Sequence, residues 1–131
     1  MDPLRSFLGV KFGVPLDPVS DETGYIKLTP RYFMFKDALP MCASSGKVSG
    51  FRCQERCTIS SLEQARKAIL LIKADIEKRT GCPLSCINSH LRQTLFRYSG
   101  RYTDIELSVR ISSSDGPAIF YLEVNNNRWV K

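Results

Sequence analysis

From Ile105 to Ile111 the chain alternates without a break: Ile105, Leu107, Val109 and Ile111 are apolar, and Glu106, Ser108 and Arg110 between them are polar. A period of two puts these sets on opposite faces of a strand, one against a core and one against solvent or a neighbour. The stretch "SSDGPA" then supplies a turn, and "AIFYLEV" returns as a second strand that runs out into the polar "NNNR". Nearer the start, "YIKLTPRYFMF" (residues 25–35) is rich in aromatic and β-branched side chains and predicts a strand, which Pro30 confines to a sheet edge or a break. A further short strand, "KVSGFRCQERC", follows the turn around Ser45 and Gly46.

Between these strands the period changes. Ser60 with Glu63 makes a capping-box pattern, and Leu62, Ala65, Ile69, Ile72 and Ile76 recur at three- and four-residue steps until Gly81 and Pro83. This predicts one amphipathic helix, and Ile87, Leu91 and Leu95 predict a second from about Leu84 to Arg97, joined to the first through "TGCP". Strands, two helices, then strands give an α+β fold, a single domain with an antiparallel sheet packed against a helical hairpin.

The first 24 residues lack a sustained period and hold three prolines and three glycines, so they read as a flexible N-terminal arm (1–24) ahead of an α+β domain (25–131). Within the arm Leu4, Phe7, Leu8 and Phe12 are interleaved with Arg5 and Lys11, a candidate membrane or self-association segment. The competing reading is an arm that packs on its own domain.

Length and charge narrow the picture. A chain of 131 residues buries a core without a metal or disulfide scaffold. Nineteen Lys and Arg against thirteen Asp and Glu give +6, which favours anionic partners: nucleic acid, an acidic protein or the anionic leaflet of a membrane. The cations are dispersed, so any basic patch has to be assembled by folding, and Arg92, Arg97, Arg101 and Arg110, around the aromatic "LFRYSGRY", are the candidates. No stretch reaches 18 apolar residues, and "FLGV" is too short for a signal-peptide core, so the chain reads as intracellular and its five cysteines as reduced thiols.

The templates of common hydrolases, kinases and metalloproteases do not occur, and no carboxylates are paired at a spacing that marks an acid/base couple; the chain reads as a non-enzyme without cofactors. The one metal arrangement to weigh is Cys53 and Cys57 with Cys82, Cys86 and His90, which could offer soft ligands to zinc; buried free thiols are the favoured reading of the same residues.

His90 to Gly116, with its basic aromatic opening and its "TDIELSVRI" strand ending in an acidic turn, resembles the central region of rhabdovirus matrix proteins. "IFYLEVNNNRW" is similar to the strand that follows there, and "MDPLRSFLGVK" to the family's short N-terminus. The resemblance implies a viral matrix structural protein of the virion. Such a protein self-associates under the envelope, at the inner membrane face of the host cytoplasm with the nucleus as a further location. It binds anionic membrane and links it to the viral ribonucleoprotein or nucleoprotein during assembly and budding, with direct contact to nucleic acid as one form of that link. The lysine-rich N-terminal tract and the Pro-Pro-x-Tyr and Pro-Thr/Ser-Ala-Pro budding motifs of the family are missing. The alternatives are a small basic viral RNA- or DNA-binding accessory protein and a zinc-dependent adaptor.

Overall fold

Alternating burial organises most of this chain into one sheet. The computed structural model describes residues 4–16, 24–58, 61–90, 92–111 and 117–129. In chain order these form β1 (Ser6–Phe7), β2 (Val10–Lys11), β3 (Ile26–Tyr32), β4 (Phe35–Cys42), β5 (Val48–Cys57), α1 (Leu62–Thr80), β6 (Ser85–His90), β7 (Gln93–Ser99), β8 (Thr103–Ile111) and β9 (Ala118–Asn126), followed by a 3-10 turn, Asn127–Trp129. Seven strands make an antiparallel sheet in the order β3-β4-β5-β9-β8-β7-β6, and β1 and β2 make a separate hairpin.

The hairpin of the C-terminal third lies at the sheet's centre. β8 and β9 pair in the register Ile105↔Val124, Leu107↔Leu122 and Val109↔Phe120, and every one of these six side chains is buried on one face. Phe51 and Cys53 of β5 and Phe96 of β7 extend that face through Phe51↔Val124, Cys53↔Leu122 and Phe96↔Leu107. Helix α1 covers it with Ala65, Ile69, Ile72 and Ile76. The helix starts at Ser61, whose Oγ accepts from the Gln64 N–H at 3.1 Å, one residue later than the sequence pattern indicates; Ser60 lies outside the described residues. It stops at Gly81, where φ of 72° is the left-handed conformation of a helix end. Glu77 then receives the Leu84 N–H at 2.8 Å and holds the exit into β6.

The expected helical hairpin is not formed: among the described residues α1 is the sole α-helix, and the fold is mostly β. The segment proposed as a second helix is the β6–β7 hairpin. Its Thr94 and Phe96 are buried at strand spacing, and β7 pairs with β8 from Gln93↔Arg110 to Ser99↔Asp104. A helix there would leave the backbone of β8 unpaired along that edge, a loss that the stripe of Ile87, Leu91 and Leu95 does not offset. Ile87 is in fact exposed, and Leu91 falls outside the described residues. Residues 25–35 also differ from expectation, since the chain turns at Phe33 and Met34 and β4 returns beside β3; β3, with Pro30, is an edge strand. Gly50 on β5 permits a close approach, because a Cβ there would stand 2.3 Å from the Val124 carbonyl oxygen. The "SSDGPA" turn is, from residue 113 to 116, outside the described residues.

The N-terminal segment is not a free arm over residues 4–16. Leu4, Phe7, Val10 and Phe12 belong to the core. Phe7 stacks on Phe51 and meets Tyr32 edge-on, and Phe12 stacks on Phe51, with centroids 5.9–6.3 Å apart. Leu8 and Gly9, at φ of 54° and 81°, make the tight turn between β1 and β2. The segment is sewn to distant strands: the Leu4 N–H donates to Thr103 Oγ1, the Asn126 amide donates to the Leu4 carbonyl, and Gly13 and Val14 exchange backbone bonds with Val48. Residues 1–3 and 17–23 are outside the described residues.

Candidate functional site

The helix covers one face of the sheet and leaves the other open. Because the strands pair in register, the outward side chains form rows that cross the sheet. One row runs Leu39, Arg52, Glu123, Glu106, Arg97, Ser85 from β4 to β6. The next runs Gln54, Tyr121, Ser108, Leu95, Asn88, and a third runs Arg56, Ile119, Arg110, Gln93, His90. These positions are the polar complement of the buried alternation and exist for the same reason.

The charges separate along the strands. At one end Asp104, Glu106 and Glu123, with Arg97, Ser99 and Asn125, line a depression of about 230 Å³. There the cations are spoken for: Arg97 Nη2 donates to Glu106 Oε1 at 2.6 Å, an ion pair that holds the guanidinium above its ordinary pKa. Glu123 accepts from the Tyr121 hydroxyl and, at 2.8 Å, from Asn125 Nδ2. Partial burial, then the hydrogen bond to Glu123, push the Tyr121 hydroxyl up to about 12, so it stays neutral.

Beyond this cluster arginines outnumber carboxylates, with Arg52 opposite Glu123 at the border and Asp37 as the one acidic lining residue of the next recess. A depression of about 550 Å³ is lined by Tyr25, Asp37, Leu39, Arg52, Gln54, Arg56 and Tyr121. A smaller one of about 190 Å³ adjoins it, lined by Gln54, Gln93, Ser108, Arg110, Ile119 and Tyr121. Arg52, Arg56 and Arg110 form no salt bridge among the described residues. Arg56 and Arg110 flank Ile119 in one row, two strand spacings or roughly 10 Å apart.

The residues singled out from sequence are scattered. Of the four candidate arginines, Arg110 joins this patch, Arg97 is paired, Arg101 sits in the β7–β8 turn over the Tyr102 ring at 5.2 Å, and Arg92 lies in the β6–β7 turn. Of the arm residues, Leu4, Phe7 and Phe12 are buried and Leu8 is partly buried, leaving Arg5 and Lys11 exposed, so among the described residues of the segment no large apolar side chain is exposed. The zinc set is not assembled: Cys53 and Cys57 are on β5 and Cys86 and His90 on β6, four strand spacings or roughly 19 Å away. Cys82 is buried beyond the helix end, no group of three potential ligands occurs among the described residues, and burial pushes the Cys53 thiol up to about 12.

Arg52 and Arg56 were not among the sequence candidates. Their signal was the alternation of Arg52, Gln54 and Arg56 with Phe51 and Cys53, the same period that marks β8. Compared with protein-family models, curated proteins and solved structures, the chain matches none.

Proposed function

We propose that the protein is a viral matrix protein, which self-associates, lies on the inner face of a membrane and links it to the ribonucleoprotein. The observation that carries this reading is the resemblance of residues 90–129 to rhabdovirus matrix proteins. That segment contains β7, β8 and β9, three adjacent strands of the sheet. The layout supports it with two outer surfaces of different chemistry on opposite sides of one sheet.

With the N-terminal apolar residues in the core, membrane attachment falls to the outer side of α1. Leu70 and Leu71 are 53% and 64% exposed there, beside the exposed cations Arg66, Lys67 and Lys78 at helical steps. Each Lys or Arg held near an anionic leaflet contributes about 1 kcal/mol, so three of them with two leucines give reversible, salt-sensitive attachment. Among the described residues no helix is long and apolar enough to cross a membrane. Self-association falls to the sheet edges. β3 is guarded by Lys27, Pro30 and Arg31, whereas β6 is exposed along its whole length and carries no Lys, Arg, Asp or Glu, which leaves it open to a strand of a second copy.

Flotation on vesicles tests the membrane step. The protein is expected to float with phosphatidylserine-containing vesicles and not with phosphatidylcholine alone, to be released by salt, and to stop floating as the Leu70→Glu/Leu71→Glu variant. Equal flotation of that variant, or of the wild type on neutral vesicles, overturns the assignment.

A further inference from the structure

We propose that the cationic half of the uncovered sheet face is a binding site for single-stranded RNA, in which Arg52, Arg56 and Arg110 hold phosphates and Tyr121 receives a base. The inference deepens the matrix reading by giving its ribonucleoprotein link a direct chemistry, and it stands on the geometry of the sheet.

Charge identifies the occupant as an anion. Three guanidiniums stand on one face and form no salt bridge among the described residues; Asp37 lines the larger recess with Arg52 and Arg56, and the other carboxylates, Asp104, Glu106 and Glu123, gather at the end that Arg52 borders. Arg56 and Arg110 lie roughly 10 Å apart across the strands, and Arg52 lies four residues, roughly 13 Å, along β5 from Arg56. Three separated cations suit an extended phosphate backbone better than one small anion, which only one or two of them could reach.

The space between the cations suits a base. Ile119 and Tyr121 supply the apolar part of the smaller depression, and Gln54, Gln93 and Ser108 line it with amide and hydroxyl groups that donate and accept. Tyr121 is pinned through its hydroxyl to Glu123, so its ring is ordered before any ligand arrives. Unpaired bases stack on sheet aromatics and present their edges to such groups, whereas a duplex keeps its bases covered and would use the arginines alone.

The same features disfavour a bilayer. The arginines line recesses, Ile119 and Leu39 are only partly exposed, and the Asp104, Glu106 and Glu123 cluster beside them repels an anionic sheet of lipid. That cluster also bounds the footprint to a few nucleotides on the Arg56 side.

The test is fluorescence anisotropy of the full-length protein with a labelled oligouridine of about ten nucleotides, with a duplex RNA of equal length, and across salt. Three phosphate contacts predict a log–log salt slope of about −2 on the single strand. Arg56→Gln/Arg110→Gln is expected to weaken binding at least tenfold and reduce the slope to about −0.7, one remaining contact. Tyr121→Leu is expected to weaken single-strand binding severalfold at an unchanged slope. Wild-type affinity of the double arginine variant, while its thermal midpoint is unchanged, overturns the proposal, as do duplex binding as tight as single-strand binding and flotation on phosphatidylserine vesicles that depends on Arg56 and Arg110. The Leu70→Glu/Leu71→Glu variant separates the two readings: it is expected to bind RNA normally, and its loss of flotation bears on the membrane assignment alone.

Discussion

The two faces of the sheet are built from the same strands and differ by a single residue of phase. On β8 and β9 one phase is Ile105, Leu107, Val109, Phe120, Leu122 and Val124, none more than 3% exposed. The other is Glu106, Ser108, Tyr121 and Glu123 with the exposed Arg110, open to solvent and tied by the Arg97–Glu106 pair and the Tyr121–Glu123 hydrogen bond. Fully burying one such apolar side chain stabilises by about 1.5–3 kcal/mol, while an exposed ion pair gives about 0–1 kcal/mol. The covered face therefore holds the fold, and the uncovered face is free to carry chemistry whose loss leaves the fold standing.

The comparison breaks first at the N-terminal segment, if that segment is the mobile arm its composition suggests. Deleting residues 1–14 removes the rings of Phe7 and Phe12 from Phe51 and takes the Leu4 backbone away from Thr103 Oγ1 and the Asn126 amide N–H. The expected product is a protein without a cooperative urea transition. The point variant Phe7→Ala should lose about 3–5 kcal/mol, as large aromatic truncations in cores do. A truncated chain with the full-length midpoint would show that the covered face ends at Phe51.

These outcomes also mark where sequence reading stops. β8 and β9 were legible because one-sided burial imposes a period of two over nine residues each, and α1 because its apolar steps end at a glycine that adopts the left-handed cap. Residues 84–97 support both periods at once: Ile87, Leu91 and Leu95 fit a helix, Thr94, Phe96 and Tyr98 a strand. What decides between them is pairing with β8, a partner outside any local window. The choice between a free and a packed N-terminal segment is hidden from the sequence for the same reason, since its hydrogen bonds reach Thr103 and Asn126, about a hundred residues on. In the candidate site Arg110 was visible on the clearest strand, Arg52 and Arg56 were overlooked on a shorter alternation, and Arg97 looked available only because Glu106, nine residues away, could not be placed beside it.

An intermediate effect is expected at the seam where helix hands over to sheet. Burial alone would raise the Glu77 pKa, but the Leu84 N–H and the Lys73 ammonium, at 2.8 and 3.0 Å, more than offset this and hold it below its ordinary value. A carboxylate with a lowered folded pKa binds protons more readily when unfolded, so its contribution is complete above the ordinary carboxylate range and lost as pH falls through the lower folded value. Because the group is partly solvated, Glu77→Gln should cost about 1 kcal/mol at neutral pH and little in acid. Urea midpoints measured from pH 7 to pH 3 should converge for the two proteins. Parallel curves would mean that the ionised form of Glu77 has no part in holding the exit to β6.

The smallest effect is the one that sharpens the contrast most. Arg97 and Glu106 form a 2.6 Å ion pair on neighbouring strands of the uncovered face, with side chains 47% and 31% exposed. A contact of that length suggests a strong clamp between β7 and β8, yet water screens both groups and the backbone ladder between the strands is complete from Gln93 to Ser99. A double-mutant cycle on Arg97→Gln and Glu106→Gln should give a coupling too small to resolve from zero, shrinking further in salt. Beside the loss expected at Phe7, so weak a coupling would set the two faces far apart in what they contribute to stability. A coupling comparable to the loss at Phe7 would instead make the charged row part of what holds the strands together, and removing charges from this face to probe binding would then disturb the fold as well.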